Sequence, residues 1–286
     1  MTGSLADAED AVQEAWFRLS RLSDQQRAAI LDPRGWLTTV VARLCLDRLR
    51  SAAVRRESYL GPWLPEPLVS TSEADDPLAV LVRDEDVRMA AMVVLDRLSP
   101  PQRVAFVLHD ALALPYAEIS QVLSCTVAAA RQHASRARRV VAEAPPPPRA
   151  EPADQRRALT DLADALRRGD LRALVSLLHP DAVFISDSGG MTPAARRTVA
   201  GAEKIARLLL GLRERYGASL MENWAAVLVN GEHGYRSGGQ GDAPEAVTSM
   251  TVRDGRIAAL YSVLSPAKLS RAIPRTLRRA SNVVVD

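Results

Sequence analysis

The sequence predicts a multidomain chain: two all-α modules joined by a linker, followed by an α+β cone. Three observations carry this. Apolar residues recur at helical spacing up to Val141. The run Pro145 to Pro148 then breaks the chain with a stiff polyproline spacer. Beyond it, two amphipathic helices give way to alternating segments joined by Asn230-Gly231 and Asp254-Gly255, and Asp-Gly between alternating runs is a strong hairpin signal. With 286 residues and 47% hydrophobic content the chain can build two or three cores.

The first element is an amphipathic helix from Leu5 to Leu22, with Leu5, Ala8, Val12, Ala15, Trp16, Leu19 and Leu22 as its apolar stripe and Asp7, Asp10, Gln13 and Glu14 outside. Acid in a first turn suits the helix dipole whatever else it does. A polar loop from Ser23 to Arg34 leads into a second helix, Arg34 to Glu57. Its buried side is marked by Trp36, Leu37, Val40, Leu44 and Leu49. Arg43, Arg48, Arg50, Arg55 and Arg56 make it basic, as a solvated face or as a track for a nucleic-acid strand. Residues 59–79 form an acidic linker restricted by Pro62, Pro65, Pro67 and Pro77. Trp63 and Leu64 are large apolar residues in this polar stretch, and a plain spacer does not need them.

Arg83 to Arg97 begins the second module. Ser99-Pro100 with Gln102 opens its next helix, Pro115 the one after, and Ser124-Cys125-Thr126 makes a turn. The last helix carries a narrow stripe of Val127, Ala130, Ala134 and Ala137. Its opposite face presents Arg131, Gln132, Ser135, Arg136 and Arg139. Small residues inside and long donors outside describe a helix-turn-helix whose last helix fits a major groove, with Thr126 at the phosphate end. A three-helix bundle with a solvated basic face would share the charge but has no need of this spacing.

In the final domain, Gln155 to Arg168 and Asp170 to Leu178 read as helices around Gly169, and His179 to Gly190 as a strand and glycine turn. Gly201 to Tyr216 reads as a third helix. Ser219 to Val229, Ala246 to Val252 and Arg256 to Val263 read as strands of a curved antiparallel sheet. A cone of this kind encloses a pocket, with His179, Asp187, Trp224, Tyr235 and Tyr261 as candidate polar lining. This leaves an enzymatic reading open beside a binding one.

Three stretches resemble the extracytoplasmic-function (ECF) RNA polymerase sigma factors. ADAEDAVQEAWFRL resembles region 2.2, PRGWLTTVVARLCLDRLRS resembles regions 2.3 and 2.4, and LPYAEI with TVAAARQHASRARR resembles the helix-turn-helix of region 4. GPWLPEP and the final domain resemble the subgroup that carries a C-terminal SnoaL-like domain of the NTF2-like fold. The resemblance implies region 2 over 1–58, the linker over 59–79, region 4 over 80–143, a spacer over 144–152, the SnoaL-like domain over 153–270 and a basic tail over 271–286. It implies that Asp7, Asp10, Gln13, Glu14 and Arg18 bind the β′ clamp helices of core RNA polymerase. Arg34, Trp36, Arg43, Arg48, Arg50, Arg55 and Arg56 would meet the promoter −10 element. Thr126, Arg131, Gln132, Ser135, Arg136 and Arg139 would meet the −35 element. Arg43 stands where some relatives have asparagine. The family has a further helix before Leu5, so part of the Leu5–Leu22 stripe is expected to be uncovered.

The resemblance also implies that the last domain modulates activity in cis, in place of a separate anti-sigma factor. The contacts would run through Trp63, Leu64 and Pro65, the motif Asp187-Ser188-Gly189-Gly190 and the motif Ser265-Pro266-Ala267-Lys268-Leu269, both altered from the family pattern. The two cysteines and four histidines lack metal-ligand spacing, so no metal or cofactor is expected. No run is apolar enough to span a bilayer and no signal peptide is seen, so a cytoplasmic protein without a membrane partner is expected. A DNA-binding regulator that never engages polymerase stays open as the alternative, with the acidic first helix as the discriminator.

Overall fold

In the computed structural model, residues 1–56, 61–70, 88–143, 145, 148–217, 220–221, 224–239 and 241–273 are described, with backbone alone for 53–56. The chain divides into two compact units. One comprises 1–58 with 93–146, the other 59–92 with 147–286.

The first unit is helical. Helix α1, Leu5–Ser20, is capped by Ser4, whose side chain accepts from the Asp7 N–H. The loop after it contains a short helix, α2, Asp24–Ala28, closed by a capping box between Ser23 and Gln26. The polar stretch gave no apolar period by which to find it. Helix α3 spans Pro33–Arg56. Helix α4, Met89–Asp96, leads into α5, Pro100–Phe106, where the Gln102 side chain accepts from the Ser99 N–H. One wide turn, Val107–Ala111, continues α5, with the Leu112 N–H donating to the Val107 carbonyl. Helix α6, Tyr116–Leu123, ends in Ser124 at φ 51°, a left-handed cap that makes the tight turn into α7, Val127–Glu143.

Ala130, Ala134 and Ala137 of α7 are fully buried, so that helix lies close on its neighbours. Ala130 and Ala134 join one core with Ala42, Leu46 and Leu49 of α3 and Val104, Leu108, Ile119 and Val122. Cys45 of α3 is buried, and neither cysteine is bonded to the other.

The second unit is a seven-stranded sheet in the order β1-β4-β5-β6-β7-β2-β3. The strands are β1 Val69–Ser70, β2 Leu178–Asp187, β3 Val199–Ala200, β4 Ala225–Val229, β5 Glu232–Ser237, β6 Ala246–Arg253 and β7 Arg256–Val263. Helices α8 Pro152–Arg168, α9 Leu171–Leu177 and α10 Ala202–Tyr216 cover one face. Leu159, Leu162, Leu166, Leu174, Ile205 and Leu209 form its core with Phe184, Met250 and Leu260. A short helix α11, Pro266–Ala272, follows β7.

The sheet corrects the antiparallel expectation. β2 lies between β7 and β3, pairing with β3 antiparallel but with β7 in parallel, because the chain runs through β2 and the last strand in the same direction. Strand β5 also escaped the sequence reading. Its residues, EHGYRS, alternate poorly, and Glu232, Arg236 and Ser237 are buried polar residues that mimic a loop.

Candidate functional site

On α7 the exposed residues Arg131, Gln132, Ser135, Arg136 and Arg139 share the face opposite the alanine stripe. Thr126 caps the helix, its hydroxyl accepting from the Ala129 N–H at 3.1 Å. The Arg131 guanidinium lies 5.7 Å from the centre of the Tyr116 ring, which holds it at the outer edge of the turn. Arg138 fixes α7 to the preceding elements by donating to Asp110 at 2.7 Å and to the Tyr116 hydroxyl at 2.9 Å. The polar face is therefore presented by a helix anchored on its other sides.

On α3, Trp36, Arg43 and Arg50 recur every seven residues and share one face. Arg34, Arg43 and Arg50 are exposed and Trp36 half-buried. Arg43 donates to the Gln121 carbonyl at 2.9 Å. Arg48 leaves this face. It bridges to Asp7 at 3.1 Å and Asp10 at 3.4 Å, tying α3 to α1. The side chains of Arg55 and Arg56 lie outside the described residues, as do Arg275, Arg278 and Arg279 of the tail.

On α1, Asp10, Gln13, Glu14 and Arg18 line one groove with Phe17, Leu44 and Arg48. Arg18 donates to Glu14 at 3.0 Å. The inner face buries Ala11 and Ala15, while Val12, Trp16 and Phe17 are 59%, 64% and 57% exposed. These three side chains leave apolar area of α1 uncovered.

The second unit brings the linker and both C-terminal motifs together. Asp187, at 0% side-chain exposure, receives Lys268 Nζ at 2.6 Å on the carboxylate oxygen that also accepts the Leu64 N–H at 2.8 Å. The other carboxylate oxygen accepts the Gly189 N–H at 3.0 Å, and the positive φ of Gly189 and Gly190 lets the loop curl back for that bond. Lys268 also donates to the Leu64 carbonyl, and its ammonium lies 4.2 Å from the Trp63 ring centre. Leu64 and Pro65 are buried. Leu269, also buried, seats α11, which Pro266 begins. Downstream, Leu68 donates to the Asn230 side chain at 3.0 Å and accepts its N–H at 2.8 Å, and Val69–Ser70 pairs with β4 as an edge strand.

Sequence reasoning took Asn230 for a hairpin turn alone and missed its hold on the linker. A short apolar run, Leu68-Val69 after the prolines, was the available signal.

Of the candidate pocket residues, only Trp224 and Tyr235 line the cavity of this domain, stacked at 3.9 Å between ring centres. Burial pushes the Tyr235 hydroxyl up to about 12. Asp187 faces away because residues two apart share a sheet face: Ser186 lines the cavity, so its neighbour cannot. Tyr261 is excluded in the same way by Ser262. His179 is held outside by Arg253 at 2.8 Å and by the Asp181 N–H at 3.1 Å.

Comparison with known proteins defines the class first. Residues 1–55 match the model of sigma-70 region 2, residues 88–140 that of sigma-70 region 4, and residues 159–260 that of the SnoaL-like domain. The chain belongs to the ECF RNA polymerase sigma factors, and is a sigma factor with a C-terminal SnoaL-like domain. Among relatives, it is 50% identical to the ECF RNA polymerase sigma factor SigJ of Mycobacterium tuberculosis, over 98% of this chain and 90% of that one. It is 34% identical to the probable ECF sigma factor SigI of the same species, over 80% and 73%. The crystal structure of M. tuberculosis SigJ superposes with a TM-score of 0.77 at 48% identity, covering 94% of this chain and 91% of that one. No helix among the described residues is long and apolar enough to cross a membrane.

Proposed function

We propose that this chain directs promoter-specific initiation by gripping core RNA polymerase and both promoter elements, and that its last domain modulates the process in cis by holding the linker. α1 docks on the β′ clamp helices through Asp10, Gln13, Glu14 and Arg18 beside the exposed Trp16 and Phe17. Arg48 is used internally, to set α1 against α3. The face of Trp36, Arg43 and Arg50 meets the −10 element, where cations track the strand and the aromatic meets an unstacked base. The α7 face reads the −35 element, with Thr126 on phosphate and Arg131, Gln132 and Arg136 on base edges. The observation that carries this reading is the gathering of exposed hydrogen-bonding side chains on one face of α7, opposite a fully buried alanine stripe.

The SnoaL-like domain acts here as a binding element: the polar residues Asp187 and Lys268 serve the hold on the linker and not its cavity. Its grip on Trp63, Leu64 and Pro65 stands in for a separate anti-sigma factor. The reading is tested with Arg131→Ala. Promoter binding is expected to weaken by roughly 5- to 100-fold, as for one bidentate base contact, with a much smaller loss on unrelated DNA. Equal losses on both would show that Arg131 touches phosphate alone.

A further inference from the structure

The SnoaL-like domain contains a cavity of about 370 Å³, within the range of small-molecule sites, roughly 300–1,000 Å³. Its walls are apolar: Phe184, Leu208, Leu209, Leu212, Trp224 and Leu264. The polar groups sit together. Strand register aligns Tyr235 with Thr248, Thr248 with Ser262, and Ser262 with Ser186, so that four hydroxyls cross four neighbouring strands in one row. All four residues line the cavity and all are buried. Thr248 donates to Ser262 at 3.0 Å, and Ser186 to the Ala195 carbonyl at 3.1 Å. Arg215, the one charged lining residue among those described, is exposed. No charge inside would be balanced, so an occupant must be neutral where it is buried. The flat stacked pair Trp224–Tyr235 along one wall favours a ring system.

The same strand ends build the linker grip. Ser186 faces the cavity and Asp187, next along, binds Leu64 and Lys268. Leu264 lines the cavity, and its N–H donates to the Asp187 carbonyl at 2.7 Å. The wall that an occupant would touch is thus fixed by the closed grip on the linker.

We propose that this cavity binds a neutral, flat, largely apolar small molecule bearing a hydroxyl or carbonyl oxygen directed at the hydroxyl row, and that its occupancy and the grip on residues 63–65 reinforce each other. The coupling follows from linkage: a ligand that prefers the ordered wall stabilises the grip, and the grip raises the ligand's affinity by the same factor. The coupling's role in regulation rests on the function proposed above, while the binding does not.

The test uses the full chain and the neutral naphthalene ketone Prodan, whose emission shifts to the blue in apolar surroundings. One saturable site is expected. Ala194→Trp, on the loop that walls the cavity, should weaken binding at least tenfold. Thr248→Val should weaken it about threefold, the size of one neutral hydrogen bond. Lys268→Met and Leu64→Ala, which loosen the grip without touching the cavity, should each weaken it at least fivefold. If Ala194→Trp, with its circular dichroism unchanged, binds the dye as well as the parent chain, the cavity is not the site and the proposal fails. If Ala194→Trp abolishes binding but neither grip variant alters it, the coupling is overturned. No polymerase or DNA enters this assay, so failure of the sigma reading would register in promoter binding and not here.

Discussion

Replacing Lys268 by methionine keeps an unbranched apolar stem and removes the ammonium that lies over Trp63. Asp187, with no exposed side-chain surface, then keeps the Leu64 and Gly189 N–H donors but loses its cation. Breaking a buried ion pair by deleting one partner costs roughly 3–5 kcal/mol. Lys268 keeps 14% of its side-chain surface in water, and two donors remain on the carboxylate, which places the loss at the lower end, about 3 kcal/mol. At 1.4 kcal/mol per decade, this raises the open fraction of the linker about 100-fold. The reporter is the Leu64 amide, which donates directly to Asp187. Its hydrogen exchange, followed at neutral pH, should speed up by that factor while amides in α5 and α7 keep their rates. Exchange at Leu64 within twofold of the parent chain, in a folded variant, would refute the reasoning: the linker would then be held by its β1 pairing and Asn230, with the ion pair a bystander.

Two further outcomes follow from the same geometry. Trp16→Ala removes a side chain that is 64% exposed, so the melting free energy should move by less than about 0.5 kcal/mol, whereas affinity for core polymerase should fall roughly tenfold or more, as for an aromatic anchor. A coupled loss of stability would mean that the side chain is packed in the free protein. At high pH, Tyr235 and Tyr261 both resist ionisation, pushed up to about 12 chiefly by burial. The folded state therefore holds protons that the unfolded chain has released, so the stability is complete below about pH 10 and is lost as pH rises towards 12. Melting of the SnoaL-like domain should drop across that window, and Tyr235→Phe with Tyr261→Phe should flatten the drop.

Much of the first unit is legible in the sequence because its elements follow helical spacing and its ends are written in side chains. The Gln102–Ser99 contact and the Thr126 cap can be read directly, and so can the contrast between Ala130, Ala134, Ala137 and Arg131, Gln132, Arg136. The short helix at Asp24 could not be, since four polar residues and one alanine carry no period. In the second unit the parallel pairing of β2 with β7 depends on where the chain returns to the sheet, which no local pattern encodes. Strand β5 hides behind buried polar residues that only tertiary contacts can satisfy. The motifs around Asp187 and Lys268 were visible by resemblance, yet their geometry was not. The Leu64 backbone contributes both its N–H and its carbonyl, and a sequence does not show which backbone groups a carboxylate and an ammonium will bridge. The cavity lining was misjudged for a related reason: Asp187 and Tyr261 look like pocket residues until strand parity puts Ser186 and Ser262 inside instead.

The measurement closest to the central claim is run-off transcription with purified bacterial core polymerase, with and without this chain, on a template bearing its promoter. The account predicts a defined start site only when the chain is present, and loss of that transcript with Arg131→Ala. Binding to the same DNA with no association with core polymerase and no defined transcript would contradict it, and would leave a DNA-binding protein that acts by another route.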